Sequence, residues 1–168
     1  MSYITNDQML VTNLSIDAKE MNSDIDNTIK YILKNKLEGL CYEDGYILKD
    51  SIQIINRNIG KVKTTDNKSY VTYKIKYKAK VLSPTQGDEM EVYISNVNKM
   101  GVIAYIKINS EDTIDDSPLI ILIPDEYFND SIYNINDINV NQKINVVVIG
   151  SRIRFKSEKI QIIAKPVD

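Results

Sequence analysis

Cations and aromatic rings carry most of the chemistry this chain could perform. Arg152-Ile153-Arg154-Phe155-Lys156 packs three cationic side chains and one ring into five residues. Lys99, Tyr105 and Lys107, with Tyr93, make a second set of the same kind. Bases stack on ring faces while ammonium and guanidinium groups meet phosphates, so both sets have the composition of a surface for a single strand of nucleic acid. Each also has an ordinary reading. The first would be a solvated hairpin tip, and Tyr105 a core tyrosine. Tyr105 alternates with Ile103 on one strand face, and that face is open between inside and outside.

Other chemistries are excluded by residue type. The chain has no histidine, which removes the commonest general base, the Ser-His and Cys-His nucleophile pairs and imidazole-ligated zinc. Its one cysteine, Cys41, can neither close an intramolecular disulfide nor hold a metal alone, and reads as a small buried hydrophobe in a reducing compartment. Asp112, Asp115 and Asp116 cluster without the glycine and terminal glutamate of a calcium loop. With only 6 glycines there is no phosphate-cradling loop. No catalytic residue, metal or cofactor is therefore expected. At a formal charge of -2, nucleic-acid affinity would have to come from local patches. The opening residues lack the apolar core of a secretory signal, and the longest apolar run, 118–124, is strand-sized, so a soluble intracellular protein with no membrane partner is expected. Isoleucine is roughly one residue in six and asparagine roughly one in ten, above ordinary usage.

These side chains need elements to hold them. Ile25, Ile29, Ile32, Leu33 and Leu37 share one helical face, with Ser23 as the expected N-cap, Asp24 and Asp26 in the first turn and Gly39 at the end. Strands are expected at 40–42 and 46–48 around Glu43-Asp44-Gly45, at 52–55 and at 60–63. A long strand, 69–82, sets Val71, Tyr73, Ile75, Tyr77 and Ala79 on one face and Thr72, Lys74, Lys76, Lys78 and Lys80 on the other. That basic face reads as solvated surface or as a nucleic-acid contact. Ser83-Pro84-Thr85-Gln86-Gly87 breaks the pattern and marks a domain boundary. Beyond it, strands at 89–97, 102–108, 119–123, 144–149 and 159–164, with a helical turn at 125–128 and an exposed acidic loop at 111–116, suit a small closed barrel. The expected fold is an α+β N-terminal domain, residues 1–82, followed by an all-β barrel of the OB type, residues 83–168.

Specific strings resemble a known family. Tyr77-Lys78-Ala79-Lys80-Val81, Pro84, Gly87-Asp88-Glu89, Val92 and Val97-Asn98-Lys99-Met100-Gly101-Val102 are similar to the stalk subunit of multisubunit RNA polymerases, the family of the seventh subunit of RNA polymerase II and the archaeal E subunit. The resemblance continues through Asn27-Thr28-Ile29, Leu37-Glu38-Gly39, Cys41, Gly45-Tyr46 and Gly60, and through Val148-Ile149-Gly150-Ser151-Arg152. It implies a non-catalytic subunit whose N-terminal domain docks on the polymerase core near the clamp and whose barrel projects toward nascent single-stranded RNA, beside a second stalk subunit. On this resemblance Gly60, Lys63, Thr65, Asp66, Asn67 and Lys68 are the docking residues. The resemblance makes the barrel one of the ribosomal S-one type, and on it the side-chain chemistry already described marks Lys99, Tyr105, Lys107, Arg152, Arg154 and Lys156 as the expected RNA-binding residues. The family's Pro-Gly-rich tip is replaced here by Thr64-Thr65-Asp66-Asn67-Lys68, and the aromatic that often follows the barrel glycine is Ile103, which removes a stacking platform. The implied setting is a nucleus, or a virion and viral factory if the composition reflects a large DNA virus. The alternative is a free-standing OB-fold RNA-binding protein of translation or RNA decay.

Overall fold

A computed structural model of the chain describes residues 5–43, 45–129 and 131–167. It divides into two compact units, one of Asn6–Glu38 and Ile47–Val81, the other holding Gly39–Tyr46 and Leu82–Asp168.

In the first unit the long strand is the organiser. Strand β6 (Lys68–Leu82) pairs with β1 (Thr5–Asp17) on one edge, and with β4 (Gln53–Arg57) and β5 (Lys61–Thr65) in succession on the other. Alternation along β6 buries Tyr73, Ile75, Tyr77 and Ala79 and leaves Lys74, Lys76 and Lys80 exposed. Helix α1 (Ile25–Leu37) covers the apolar face, where Ile29 and Leu33 join Leu14, Ile16, Tyr73 and Ile75 in one cluster. The helix begins one residue later than expected. Asp24, not Ser23, is the N-cap, and its carbonyl accepts the first helical hydrogen bond from the Thr28 N–H at 3.2 Å. Asn22 fixes the entry ahead of the cap, its Oδ1 accepting from the Asp24 N–H at 2.9 Å. At the far end Gly39 adopts a φ of 77°, the left-handed geometry that releases the chain from a helix. Glu38 braces the segment ahead of β4, accepting from the N–H groups of Asp50 and Ile52.

The second unit is a closed barrel of five strands, ordered β10-β11-β9-β8-β7. These are β7 (Glu89–Asn98), β8 (Gly101–Tyr105), β9 (Leu119–Pro124), β10 (Lys143–Arg152) and β11 (Ile160–Pro166). All contacts are antiparallel except β9 with β11, an arrangement consistent with an OB fold. Inward positions are mostly branched aliphatics or alanine: Val92, Ile94, Val102, Ala104, Ile121, Ile123, Val146, Val148, Ile160 and Ala164 are essentially solvent-free. A 3-10 turn at Asp125–Phe128, between β9 and β10, inserts the buried Phe128. Gly101 is required where it stands. Its φ is 142°, and a Cβ there would lie 2.3 Å from the Ile123 carbonyl oxygen, so only glycine lets β8 approach β9.

Two expectations change in this unit. The second barrel strand ends at Tyr105 rather than at Ile108, because local side chains capture its backbone: the Ile106 N–H donates to Ser117 Oγ, and those of Ile108 and Asn109 donate to the Asp112 carboxylate. The acidic loop is partly ordered. Residues Ile114–Asp116 form a 3-10 turn closed by a Thr113–Asp116 capping box. A short hairpin, β2 (Cys41–Tyr42) with β3 (Gly45–Ile47), sets Cys41 opposite Tyr46. Asp44, within its turn, lies outside the described residues.

Candidate nucleic-acid interface

The barrel's outer surface is built from the positions between the core residues. On β8, Val102 and Ala104 point inward at 0% exposure, so Ile103 and Tyr105 belong to the outer face. Ile103 lies opposite Leu122, Leu122 beside Ile163, and Ile163 opposite Gly150, giving a row that runs across four strands. Ile120, Leu122, Gln161, Ile163, Ser151 and Arg152 line a groove of about 480 Å³ on this surface.

Tyr93 and Tyr105 are register partners on β7 and β8, with ring centroids 6.0 Å apart. Lys107 sets its ammonium 4.6 Å from the Tyr93 ring. Outward placement has not left Tyr105 accessible: it keeps 5% exposure, and the half-buried Tyr93 is the more open ring of the pair. Lys99 stands exposed in the β7–β8 turn, which is held by the Met100 N–H donating to Asn98 Oδ1.

Arg152 closes β10, while Arg154 and Lys156 lie in the connection to β11, and all three are exposed. This loop is anchored. The Lys156 N–H donates to the Cys41 carbonyl at 2.8 Å and the Cys41 N–H donates to the Ser157 carbonyl at 2.7 Å, so strand β2 pairs with it. Lys156 has a φ of 64°, a left-handed conformation that turns the chain within the loop. Phe155 is 62% exposed, its ring 6.3 Å from that of Tyr42 and 5.6 Å from the Lys156 ammonium. An exposed ring flanked by three cations is the arrangement that stacking plus phosphate contact requires. Tyr42 was not legible as a member of this group, because it is more than a hundred residues away in sequence and reaches Phe155 only through β2. Lys159, next along, is committed elsewhere, its ammonium donating to the carbonyls of Ile114, Asp115 and Ser117.

Cys41 is buried, and burial pushes its thiol pKa up, which leaves it an inert thiol. The Tyr46 hydroxyl is likewise raised, first by burial and then by the charges of Cys41 and Glu158. Asp112 and Asp116 spend their carboxylates on backbone amides.

The docking candidates fall together on one hairpin of the first unit. Lys63 and Thr65 belong to β5, Lys68 opens β6, and Asp66 and Asn67 form the two-residue turn with φ of 48° and 64°. That is the left-handed pair a tight hairpin needs, made without proline or glycine. Gly60 precedes β5 with φ 87°, and a Cβ there would meet Tyr73 Cε1 and Val71 Cγ1 at 2.8 Å each. Every residue of β5 is exposed, including Val62 at 73%.

No protein-family model matches the chain. Among curated proteins it is similar to the DNA-directed RNA polymerase II subunit RPB7 of Glycine max, 34% identical over 80 residues. The matched stretch is 47% of this chain and spans 43% of that protein, less than half its length. Over those residues the chain is a partial homologue of RPB7, and this supports the polymerase stalk-subunit family.

Proposed function

We propose that the chain is a non-catalytic stalk subunit of a DNA-dependent RNA polymerase. The single observation that carries this reading is the partial homology to RPB7. The β5–β6 hairpin docks on the polymerase core near the clamp through Lys63, Thr65 and the Asp66-Asn67 turn. Its exposed β5 offers the core a two-stranded, cationic finger. The barrel receives nascent single-stranded RNA at the β10–β11 loop, where Phe155 stacks on a base and Arg152, Arg154 and Lys156 meet phosphates. Its partners are the core subunits, a second stalk subunit and the transcript, and its place is in the nucleus with the polymerase.

Affinity purification of the tagged chain from its native source tests this. Stoichiometric recovery of the large catalytic polymerase subunits is expected, and recovery at least tenfold lower is expected for the combined variant Lys63→Glu, Thr65→Glu, Lys68→Glu. A chain recovered alone, or a hairpin variant that retains the core, would overturn it.

A further inference from the structure

Charge is unevenly divided between the two units. Residues 6–38 and 47–81 hold thirteen basic and eight acidic side chains, while the rest of the chain holds eight and fifteen. Much of that excess sits on one surface, the face of the first unit's sheet turned away from α1.

Outward positions on β6 are Lys68, Tyr70, Thr72, Lys74, Lys76, Lys78 and Lys80. Register places Lys61 opposite Thr72, Lys63 opposite Tyr70 and Asn56 opposite Lys76. From β1, Ser15 joins the same face, its hydroxyl 3.0 Å from that of Thr72. The Asp7 carboxylate reaches this row, 3.8 Å from Lys78. Two adjoining depressions of about 420 Å³ each mark the surface, one lined by Asn13, Ser15, Lys61, Lys63 and Thr72, the other by Val11, Asn56, Arg57 and Lys76. Asn58 and Lys74 line both, and among the described residues no carboxylate lines either, although Arg57 is paired with Asp26.

Asn58 is fixed in an informative way. Its Oδ1 accepts the N–H groups of Gly60 at 3.2 Å and Lys74 at 3.1 Å, so the oxygen is turned to the backbone and the amide nitrogen is left as a donor. The shared wall of the two depressions therefore offers donors: an amide NH2 and an ammonium.

We infer that this open sheet face is a second binding surface for single-stranded nucleic acid, one that tracks the phosphodiester backbone. Four lysines at every other position of one strand form a straight row of cations about 6.7 Å apart, a spacing suited to an extended polyanion. A flat sheet cannot enter the groove of a duplex as a helix or ribbon does, whereas a single strand can lie along it. Tyr70, half-buried on the same face opposite Lys63, gives that strand a ring to stack on. The surface uses none of the barrel's residues, so it stands or falls independently of RNA binding at the β10–β11 loop.

The test is fluorescence anisotropy of the full chain with a labelled 20-nucleotide RNA across a salt series, comparing it with the variant Lys61→Gln, Lys74→Gln, Lys76→Gln, Lys80→Gln. Both are also measured in an Arg152→Ala, Arg154→Ala, Lys156→Ala background, which separates this surface from the barrel. Four lost phosphate contacts should lower affinity at least tenfold in the background without the loop's cations. They should also reduce the slope of log K against log salt by about 2 to 3, since each contact to a single strand contributes roughly 0.7. Lysine acylation of the unaltered chain provides a readout that needs no variant: bound RNA should protect Lys61, Lys74 and Lys76. Unchanged affinity and slope, unprotected lysines, equal affinity for a duplex, or equally effective displacement by polyglutamate of matched charge would each overturn the inference.

Discussion

Ile103 is the residue at which sequence and structure speak most directly to each other. The face it shares with Tyr105 was open between core and surface, and the full burial of Val102 and Ala104 resolves it outward, beside Leu122. A phenylalanine there would have room to stack rather than overpack the barrel. Ile103→Phe is expected to strengthen binding of a 20-nucleotide RNA by 1 to 3 kcal/mol, about five- to a hundredfold or more, with the thermal midpoint unchanged. A fall in midpoint without a gain in affinity would return Ile103 to the core. The same logic shows what a sequence conceals at this scale. Tyr105 faces outward yet keeps only 5% exposure, because Tyr93 packs on it from the neighbouring strand. Alternation reports which side a residue is on, but not what its cross-strand neighbour covers. Asn58 is silent in sequence for a related reason, since its role depends on Lys74, sixteen positions away.

Among elements, those with a clean period were legible. The basic-apolar alternation of 69–82 corresponds to β6 at Lys68–Leu82, and the five apolar runs beyond residue 88 correspond to the five barrel strands. Strand β1 went unread because Met9 and Val11, both half exposed, sit on its outer face and blur the alternation. The β10–β11 loop was legible as a cationic cluster but not as a fixed one, since its anchor, the pair of hydrogen bonds to Cys41, comes from a distant hairpin. That anchoring bears on function. A loop pinned at Lys156 and Ser157 presents its cations with less entropy to lose on binding than a free tip would. Replacing the three together by alanine should reduce RNA affinity several-fold at low salt and reduce the salt slope by about 2, read by the same anisotropy titration. If the triple variant binds as the parent does, the loop is only a solvated connection.

At the scale of the whole molecule, pH separates what is buried from what is charged. Cys41 and Tyr46 face each other in the β2–β3 hairpin, and burial raises both pKa values in the folded state. In the unfolded chain they ionise at their ordinary values, so the unfolded state sheds protons first as pH rises. Stability contributed by these groups is therefore fully present below their unfolded values and declines with pH above about 8.5 to 10. Urea midpoints measured from pH 7 to 10.5 should fall over that upper range, and Tyr46→Phe should flatten the decline. A midpoint independent of pH, or a variant with the parent's alkaline limb, would contradict this account.

The parallel pairing of β9 with β11 has a bearing on how the molecule is made. Strand β11 lies between β9 and β10 and is the last barrel strand to leave a ribosome. Until it emerges, β9 and β10 are each left with an unpaired edge, and Leu119, Ile121 and Ile123 have no lid. The barrel therefore closes in one late step over contacts distant in sequence, a slow topology for a nascent chain. Its exposed apolar strands would fall to chaperones during that interval, whereas β6 and all of its partners are already synthesised before the first barrel strand begins.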